Sequence, residues 1–301
     1  MSKPEPRPPI CDYEGSNYRT EFWEGKGRDY EDQVERIALR RLLPARGRRL
    51  LELGAGFGRL TSEYGNYDQV VLVDYSLSQL RYAQEKLGTS GRYIYVAADA
   101  YRLPFRPGTF DGATIIRVIH HMSDVPGVLK QVRRALVPGA TLILEYANKR
   151  NIKAMLRFAR GQQSWNPYTL EPVEFVELNF DFHPDYMQQQ LVNAGFQMQR
   201  SIPVSFFRIG AIKNRLPSTL LAGMDGLLQL TGLHYTPSIF TRSIAENASV
   251  DNLNTGNLFV CPECGAELLQ QGDTLTCSGC GQHWAIRDGI YDFKAPLDEY
   301  A

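Results

Sequence analysis

From residue 50 the chain alternates short apolar runs with amphipathic stretches. Leu50–Leu53, Val70–Val73, Tyr93–Ala97, Ala113–Ile116 and Thr141–Glu145 have strand length and turn residues at their ends. A glycine turn and a helix are expected between the first two runs, and Ser78–Leu87 carries helical spacing after the second. Strands alternating with helices place a sheet between two helical layers. The pattern therefore predicts an α/β fold with a doubly wound, mostly parallel, seven-stranded sheet. Upstream, Val34, Ile37, Ala38, Leu39, Leu42 and Leu43 recur at helical spacing and predict a helical N-terminal cap over 13–45, which Pro44 to Arg49 break.

Downstream, the rhythm fails twice, over 147–182 and 208–237. Between the breaks, His183–Ala194 reads as an amphipathic helix and Gly195-Phe196 opens a strand. Ser238–Ala245 reads as the last strand of a domain spanning 46–248. In a doubly wound topology both breaks leave carboxyl ends of strands, where open sheets bind ligands, so both are expected to act as lids. Residues 1–12, with four prolines in MSKPEPRPP, read as a disordered tail. The polar, glycine-ended stretch 249–257 reads as a linker to a separate unit over 258–297.

With 301 residues, 43% hydrophobic and 22% charged, the chain can bury one full-size core and a small second one. Its 33 basic residues balance 33 acidic ones, so no global field draws it to nucleic acid or to an anionic surface. A signal peptide and a bilayer span are both missing from the pattern, which makes a cytoplasmic location the expectation.

Chemistry concentrates at three strand ends. Leu50-Leu51-Glu52-Leu53-Gly54-Ala55-Gly56-Phe57-Gly58 is an apolar strand running into glycines at alternate positions, where a ligand can touch backbone. Arg59 stands where a dinucleotide fingerprint needs its third glycine, which disfavours NAD. Glu52 suits a ligand carrying a cationic amino group and a sulfonium, not a pyrophosphate. Asp74 closes the next strand, where a carboxylate can accept from both ribose hydroxyls, and Asp99 closes the one after, in reach of an adenine amino group.

On these residues, 45–150 resembles the class I S-adenosylmethionine-dependent methyltransferases of the ubiquinone and menaquinone methyltransferase group. Leu103-Pro104-Phe105, Phe110-Asp111 and Arg117-Val118-Ile119-His120-His121 are similar to that family's "LPF…FD…LHH" run. Val137-Pro138-Gly139-Ala140 is similar to its "KPGG" turn, with valine and alanine replacing lysine and glycine. The resemblance implies S-adenosylmethionine as cofactor, bound by Glu52, Gly54, Ala55, Gly56, Gly58, Asp74, Tyr75, Asp99, Ala100 and Arg117. His120 and His121, just past the fourth strand, are candidates to take a proton from a hydroxyl or carbon acceptor.

Cys261-Pro262-Glu263-Cys264-Gly265 and Cys277-Ser278-Gly279-Cys280-Gly281 are two C-x-x-C-G knuckles. Four thiolates at this spacing predict a closed, structural Zn²⁺ site on Cys261, Cys264, Cys277 and Cys280, with a redox disulfide pair as the alternative. His283 to Ile290 resembles the "YPI-x-DGIP" ending of the short zinc-ribbon family that activates tRNA methyltransferases. Residues 258–299 carry two basic residues against seven acidic ones, so a docking role, within the chain or to a protein partner, is expected over phosphate binding.

For the acceptor, Trp165, Tyr168, Phe175, Phe180, Phe182, Phe206, Phe207 and the stretch Leu220–Leu233 predict an apolar roof, and hence a small hydrophobic organic molecule. The preface adds Tyr13, Tyr18, Phe22, Trp23, Arg28 and Tyr30 as a possible cover over the cofactor. RNA methylation is the competing enzymatic reading, supported by Arg150, Lys153, Arg157 and Arg160 at helical intervals. The sequence has no Asn/Asp-Pro-Pro-Tyr run for exocyclic base amines and no Pro-Cys pair for cytosine carbon-5 attack. A protein that binds the cofactor or a partner without methylating is the third reading.

Overall fold

A computed structural model describes residues 8–16, 23, 27–213, 215–246 and 256–297. In chain order the elements are α1 (Asp29–Leu42), β1 (Gly47–Leu53), β2 (Tyr67–Asp74), α2 (Leu77–Leu87), β3 (Tyr93–Ala97), β4 (Phe110–Ile115), α3 (Val125–Ala135) and β5 (Leu136–Ala147). They continue with α4 (Ile152–Ala159), β6 (Val173–Val176), β7 (Asn179–Asp181), α5 (Pro184–Asn193), β8 (Phe196–Val204), α6 (Gly210–Lys213), α7 (Ser218–Leu228) and β9 (Ser238–Ala245). The last four strands are β10 (Leu268–Gln271), β11 (Thr274–Cys277), β12 (His283–Arg287) and β13 (Ile290–Asp292).

The seven strands of the large domain run β3-β2-β1-β4-β5-β9-β8, parallel from β3 to β5 and antiparallel through β9. Successive side chains of a strand point to opposite faces, which divides the core in two. Leu51, Leu53, Val71 and Val73 pack with α3 and α5 through Leu129, Val132, Met187 and Leu191. Leu50, Val70 and Leu72 pack with α1, α2 and α7 through Val34, Leu39, Leu80 and Leu221.

The ribbon is joined to this sheet. β13 pairs in parallel with β3, Ile290 opposite Tyr95 and Asp292 opposite Ala97, and the sheet grows to eleven strands. An exposed edge strand invites unwanted pairing, and β13 covers this one. Phe105 stacks on Phe259 with ring centroids 5.8 Å apart, Val260 N–H donates to the Pro104 carbonyl at 2.9 Å, and Arg106 reaches Glu267 at 2.9 Å. Leu275, Trp284 and Phe293 thereby belong to the same core cluster as α3 and α5.

Several expectations need correction. The helix expected after the glycine turn is a four-residue 3₁₀ turn, Thr61–Tyr64. Between Gly58 and β2 only Arg59 to Asn66 are available, too few to cross the sheet as a helix. α1 covers that surface instead, and its Arg36 and Arg40 both hold Glu63. The N-terminal helix begins at Asp29, with Asp29, Glu31 and Asp32 in its first turn, not at residue 13. Residues 8–12, expected to be disordered, lie along the large domain. Residues 1–7, Tyr18, Phe22 and nearly all of the expected linker fall outside the described residues.

Candidate functional site

The carboxyl ends of β1, β2 and β3 meet at one cleft, lined by Leu53, Gly54, Gly56, Asp74, Tyr75, Asp99, Ala100, Tyr101, Arg117, Val118, His121 and Met122, with about 100 Å³ of solvent space. A smaller recess of about 50 Å³ adjoins it through Leu53, Gly54, Gly56 and Arg117, and adds Glu52, Ala55 and Trp23. Gly54, Gly56 and Gly58 all have positive φ, at 72°, 52° and 68°, which explains the alternating glycines.

The three glycines differ in what they face. A Cβ on Gly54 would meet Val118 Cγ2 at 1.9 Å, whereas a Cβ on Gly56 would meet nothing within 4 Å. Gly56 is therefore the position left open toward a ligand, and Gly54 is small so that Val118 can pack. Gly58 faces Leu87 and Ala83 of α2 and lines neither recess.

Asp74 anchors the turn. Its Oδ2 accepts from Gly56 N–H at 2.8 Å and its Oδ1 from Ser76 N–H at 3.0 Å, and each oxygen keeps a lone pair for a hydroxyl. Burial raises its pKa against the pull of those amides. Asp99 accepts from Tyr101 N–H at 2.8 Å. Glu52 is 5% exposed and accepts from Thr61 Oγ1 at 2.6 Å; burial outweighs Thr61 and Arg59 and pushes its pKa up to about 7. Gln79 also lines the cleft, and its buried Oε1 has no partner. Two carboxylate oxygens with lone pairs to spare, an open glycine and an unspent amide oxygen suit a nucleoside, and the neighbouring Glu52 suits an ammonium.

A strap from the N-terminal segment lies over this cleft, contributing Ile10, Cys11 and Tyr13. Tyr13 Oη lies 3.3 Å from His121 Nε2, while His121 Nδ1 lies 2.8 Å from the Leu178 carbonyl, which fixes Nδ1 as the protonated nitrogen. Both ring nitrogens of His121 are thus committed to holding the strap and the β6–β7 hairpin. His120 lines neither recess, and its Nδ1 is buried without a partner. Burial, then His121, Arg117 and Arg208, drive its pKa well below that of a free imidazole. The strap is pinned further by Glu14, which accepts from Ser78 N–H at 3.2 Å and lies 3.9 Å from ribbon residue Lys294, itself 5.3 Å from the Tyr75 ring.

Behind the cleft lies an ionic clamp with little trace in the sequence. Buried Glu35 of α1 binds Arg59 at 2.6 Å and both Nε and Nη2 of Arg117, the former at 2.7 Å. Burial works against ionisation of Glu35, but the two guanidiniums hold its pKa below the usual value. Arg117 has a φ of 63°, and its N–H donates to Glu145 at 2.9 Å. Arg59 lies 3.8 Å over the Trp23 ring.

The expected roof divides. Phe182 is core, Phe180 packs against it, and Phe175 and Tyr168 are more than half exposed. A third cavity of about 440 Å³ is lined by Trp165, Phe175, Gln162, Arg157 and Asp181, whose pKa burial raises to about 6. Arg150 and Arg157 are half-buried and only Lys153 and Arg160 are exposed, so the four cations do not form one solvent-facing stripe.

The four ribbon cysteines bring their Sγ atoms within 4.8 Å of one another, with Cys261–Cys280 at 3.7 Å and Cys264–Cys277 at 3.4 Å. A tetrahedron with Zn–S near 2.3 Å has edges of about 3.8 Å, whereas a disulfide needs about 2.05 Å. Gly279 and Cys280 N–H groups point at Cys277 Sγ from 3.3 and 3.4 Å, the second shell a thiolate requires. The donor set fits zinc.

Residues 51–144 match the family described as "Methyltransferase domain". The ubiquinone/menaquinone biosynthesis C-methyltransferase UbiE of Teredinibacter turnerae is 31% identical over 173 residues, covering 51% of this chain and 69% of that protein. The O-methyltransferase cnsE of Penicillium expansum is 32% identical over 145 residues, covering 45% of this chain and about half, 52%, of its own length. Among solved structures, an S-adenosylmethionine-dependent methyltransferase of Thermotoga maritima aligns with a TM-score of 0.52 at 18% identity, covering 76% of this chain and 95% of its own. A chain from the complex of the Haloferax volcanii Trm112 methyltransferase activator with a methyltransferase aligns at 0.53 and 14% identity, covering 77% and 98%. The last two likenesses concern the fold.

Proposed function

The chain belongs to the class I S-adenosylmethionine-dependent methyltransferases, and we propose that it methylates a small, hydrophobic organic acceptor held beneath segments 147–182 and 208–237. The observations that carry this are the lining of the cofactor cleft and the third cavity, which segment 147–182 lines. Among the described residues of the cleft, Arg117 is the one arginine or lysine, and its guanidinium is held by Glu35, while Ile10, Tyr13, Tyr75, Tyr101, Val118 and Met122 supply an apolar wall. A nucleic-acid strand needs cations free to follow its phosphates. Trp165 and Phe175 beside the third cavity add aromatic surface suited to a ring.

S-adenosylmethionine supplies a methyl carbon already activated by a sulfonium, so alignment provides most of the acceleration. The chain's part is to fix the ribose at Asp74, the base at Asp99 and the amino group at Glu52, and to exclude water with the strap. His121 acts by positioning, since both its nitrogens are engaged. His120 lines neither recess and burial drives its pKa well down, so we assign it no proton transfer.

RNA is the second reading, favoured by exposed Lys153 and Arg160 and by the fold shared with a protein found in complex with an activator. Formation of S-adenosylhomocysteine separates the two, measured with a panel of apolar phenols and enols against bulk tRNA and rRNA. Turnover with a small acceptor should fall at least about tenfold in Trp165→Ala and stay unchanged in Lys153→Gln/Arg160→Gln. Turnover confined to RNA and abolished by the double glutamine substitution would show the acceptor to be nucleic acid.

A further inference from the structure

α7 is apolar on both faces. Leu221, Ala222, Asp225 and Gly226 turn inward, and Asp225 accepts from Tyr30 Oη of α1 at 2.6 Å. On the outward face Leu220, Met224 and Leu227 are 51%, 42% and 71% exposed, and the chain beyond continues with Leu230 and Leu233 at 61% and 51%. A surface helix of a globular domain normally presents polar residues there. Single exposed leucines need no explanation, but a contiguous set does.

The surface extends onto α4. Ile152 N–H donates to the Tyr235 carbonyl at 2.9 Å, and the Arg150 guanidinium sits 5.9 Å from the Tyr235 ring. α4 then exposes Ile152 at 61% and Leu156 at 47%.

Charge on both segments has one sign. Within 208–237 the single acidic residue, Asp225, is buried, while Arg215 is exposed. Residues 150–162 hold four basic residues and no acidic one, and Lys153 and Arg160 are exposed. The chain as a whole is neutral, so this excess is local.

We infer that the outward face of α7, continued through Tyr235 onto α4, seats on the surface of an anionic lipid bilayer. Leucines enter the headgroup boundary and the flanking arginines and lysines meet lipid phosphates. None of the described helices is long and apolar enough to cross a membrane, so the face lies on the bilayer. Other occupants fit less well. RNA would use the cations and leave the leucines in water. A second copy on a twofold axis would set two basic rims against each other. The inference is independent of the acceptor's identity.

Flotation of the full chain with vesicles tests it, using equal parts phosphatidylglycerol and phosphatidylcholine against phosphatidylcholine alone. At 0.1 M salt the protein should float with the anionic vesicles at least about tenfold more than with the neutral ones. Leu220→Glu/Leu227→Glu should abolish flotation while keeping the melting temperature and S-adenosylmethionine affinity, and Lys153→Gln/Arg215→Gln should reduce it several-fold. Failure to float with either vesicle, or equal flotation of the glutamate variant, overturns the inference. So does a dimer that the glutamate variant splits, or RNA binding that this variant retains and the glutamine variant loses.

Discussion

Glu52 ought to couple cofactor binding to proton release. Its pKa of about 7 arises mainly from burial, with the Thr61 hydroxyl and Arg59 as partial offsets. A cationic amino group placed beside it favours the ionised form. With the bound state fully ionised, roughly nine-tenths of a proton leaves per ligand at pH 6, about half at pH 7 and about a tenth at pH 8. Affinity then loses about tenfold per pH unit below 7, or about 1.4 kcal/mol, and levels off above 8. Calorimetry in buffers of different ionisation enthalpy counts the protons directly. The decisive measurement is at pH 6, where the ligand's own amino group stays protonated. Because the folded pKa lies above the unfolded value, Glu52 also costs the unliganded fold stability as pH rises from about 4.5 through 7, roughly 3 kcal/mol at the plateau. Glu52→Gln should therefore move two quantities in opposite directions at pH 8. The unliganded protein melts higher, and S-adenosylmethionine binds more weakly by about 1.5–3 kcal/mol. Buffer-independent heats at pH 6 in the wild type, or proton release surviving in Glu52→Gln, would refute the placement of the amino group against this carboxylate.

Glu35→Gln should cost about 2–4 kcal/mol, because it removes the buried carboxylate that two half-buried guanidiniums share, with Arg59 left only Asp32. The folded pKa of Glu35 is depressed, so its contribution is complete above the unfolded value near 4.5 and is lost as pH falls through the folded one. Thermal melts from pH 3.5 to 7 should show the wild type losing this increment on acidification and the variant not; parallel curves would mean that Glu35 carries no charge in the folded protein. Elemental analysis of protein purified without chelators should find one zinc per chain. Removing it should lower the melting temperature and change Trp284 fluorescence, because the ribbon core is continuous with the α3–α5 core. Metal-free protein with an unchanged melting curve would exclude a structural zinc.

What the sequence could show was local. An apolar run, a glycine turn and a terminal carboxylate are neighbours in the chain, so the ends of β1, β2 and β3 could be read without knowing what lies beside them. Even there, the backbone angle common to Gly54, Gly56 and Gly58 conceals three different neighbours, and only the packed structure distinguishes the open one. The clamp is the opposite case. Glu35 meets Arg59 across 24 residues and Arg117 across 82. On a helix full of charge, a carboxylate that turns inward has the same sequence signature as one that faces solvent. The strap was hidden for another reason. Proline-rich composition reports a lack of internal structure, and says nothing of whether the segment rests on a neighbouring surface.

The ribbon's position follows from the sheet order. In the order β3-β2-β1-β4-β5-β9-β8, β3 is the one parallel strand with a free side, and the residues after it, Leu103-Pro104-Phe105, carry apolar surface out past that edge. A four-cysteine unit of about forty residues has little core of its own and gains by sharing one. β13 takes the free edge, Phe259 stacks on Phe105, and the strand that follows the cysteines delivers Lys294 to Glu14 and Tyr75 at the rim of the cleft. Both the strap and the Tyr75 rim of the cleft are thereby braced by a unit that lies last in the sequence. This is why loss of zinc should be felt as weaker cofactor binding as well as lower stability.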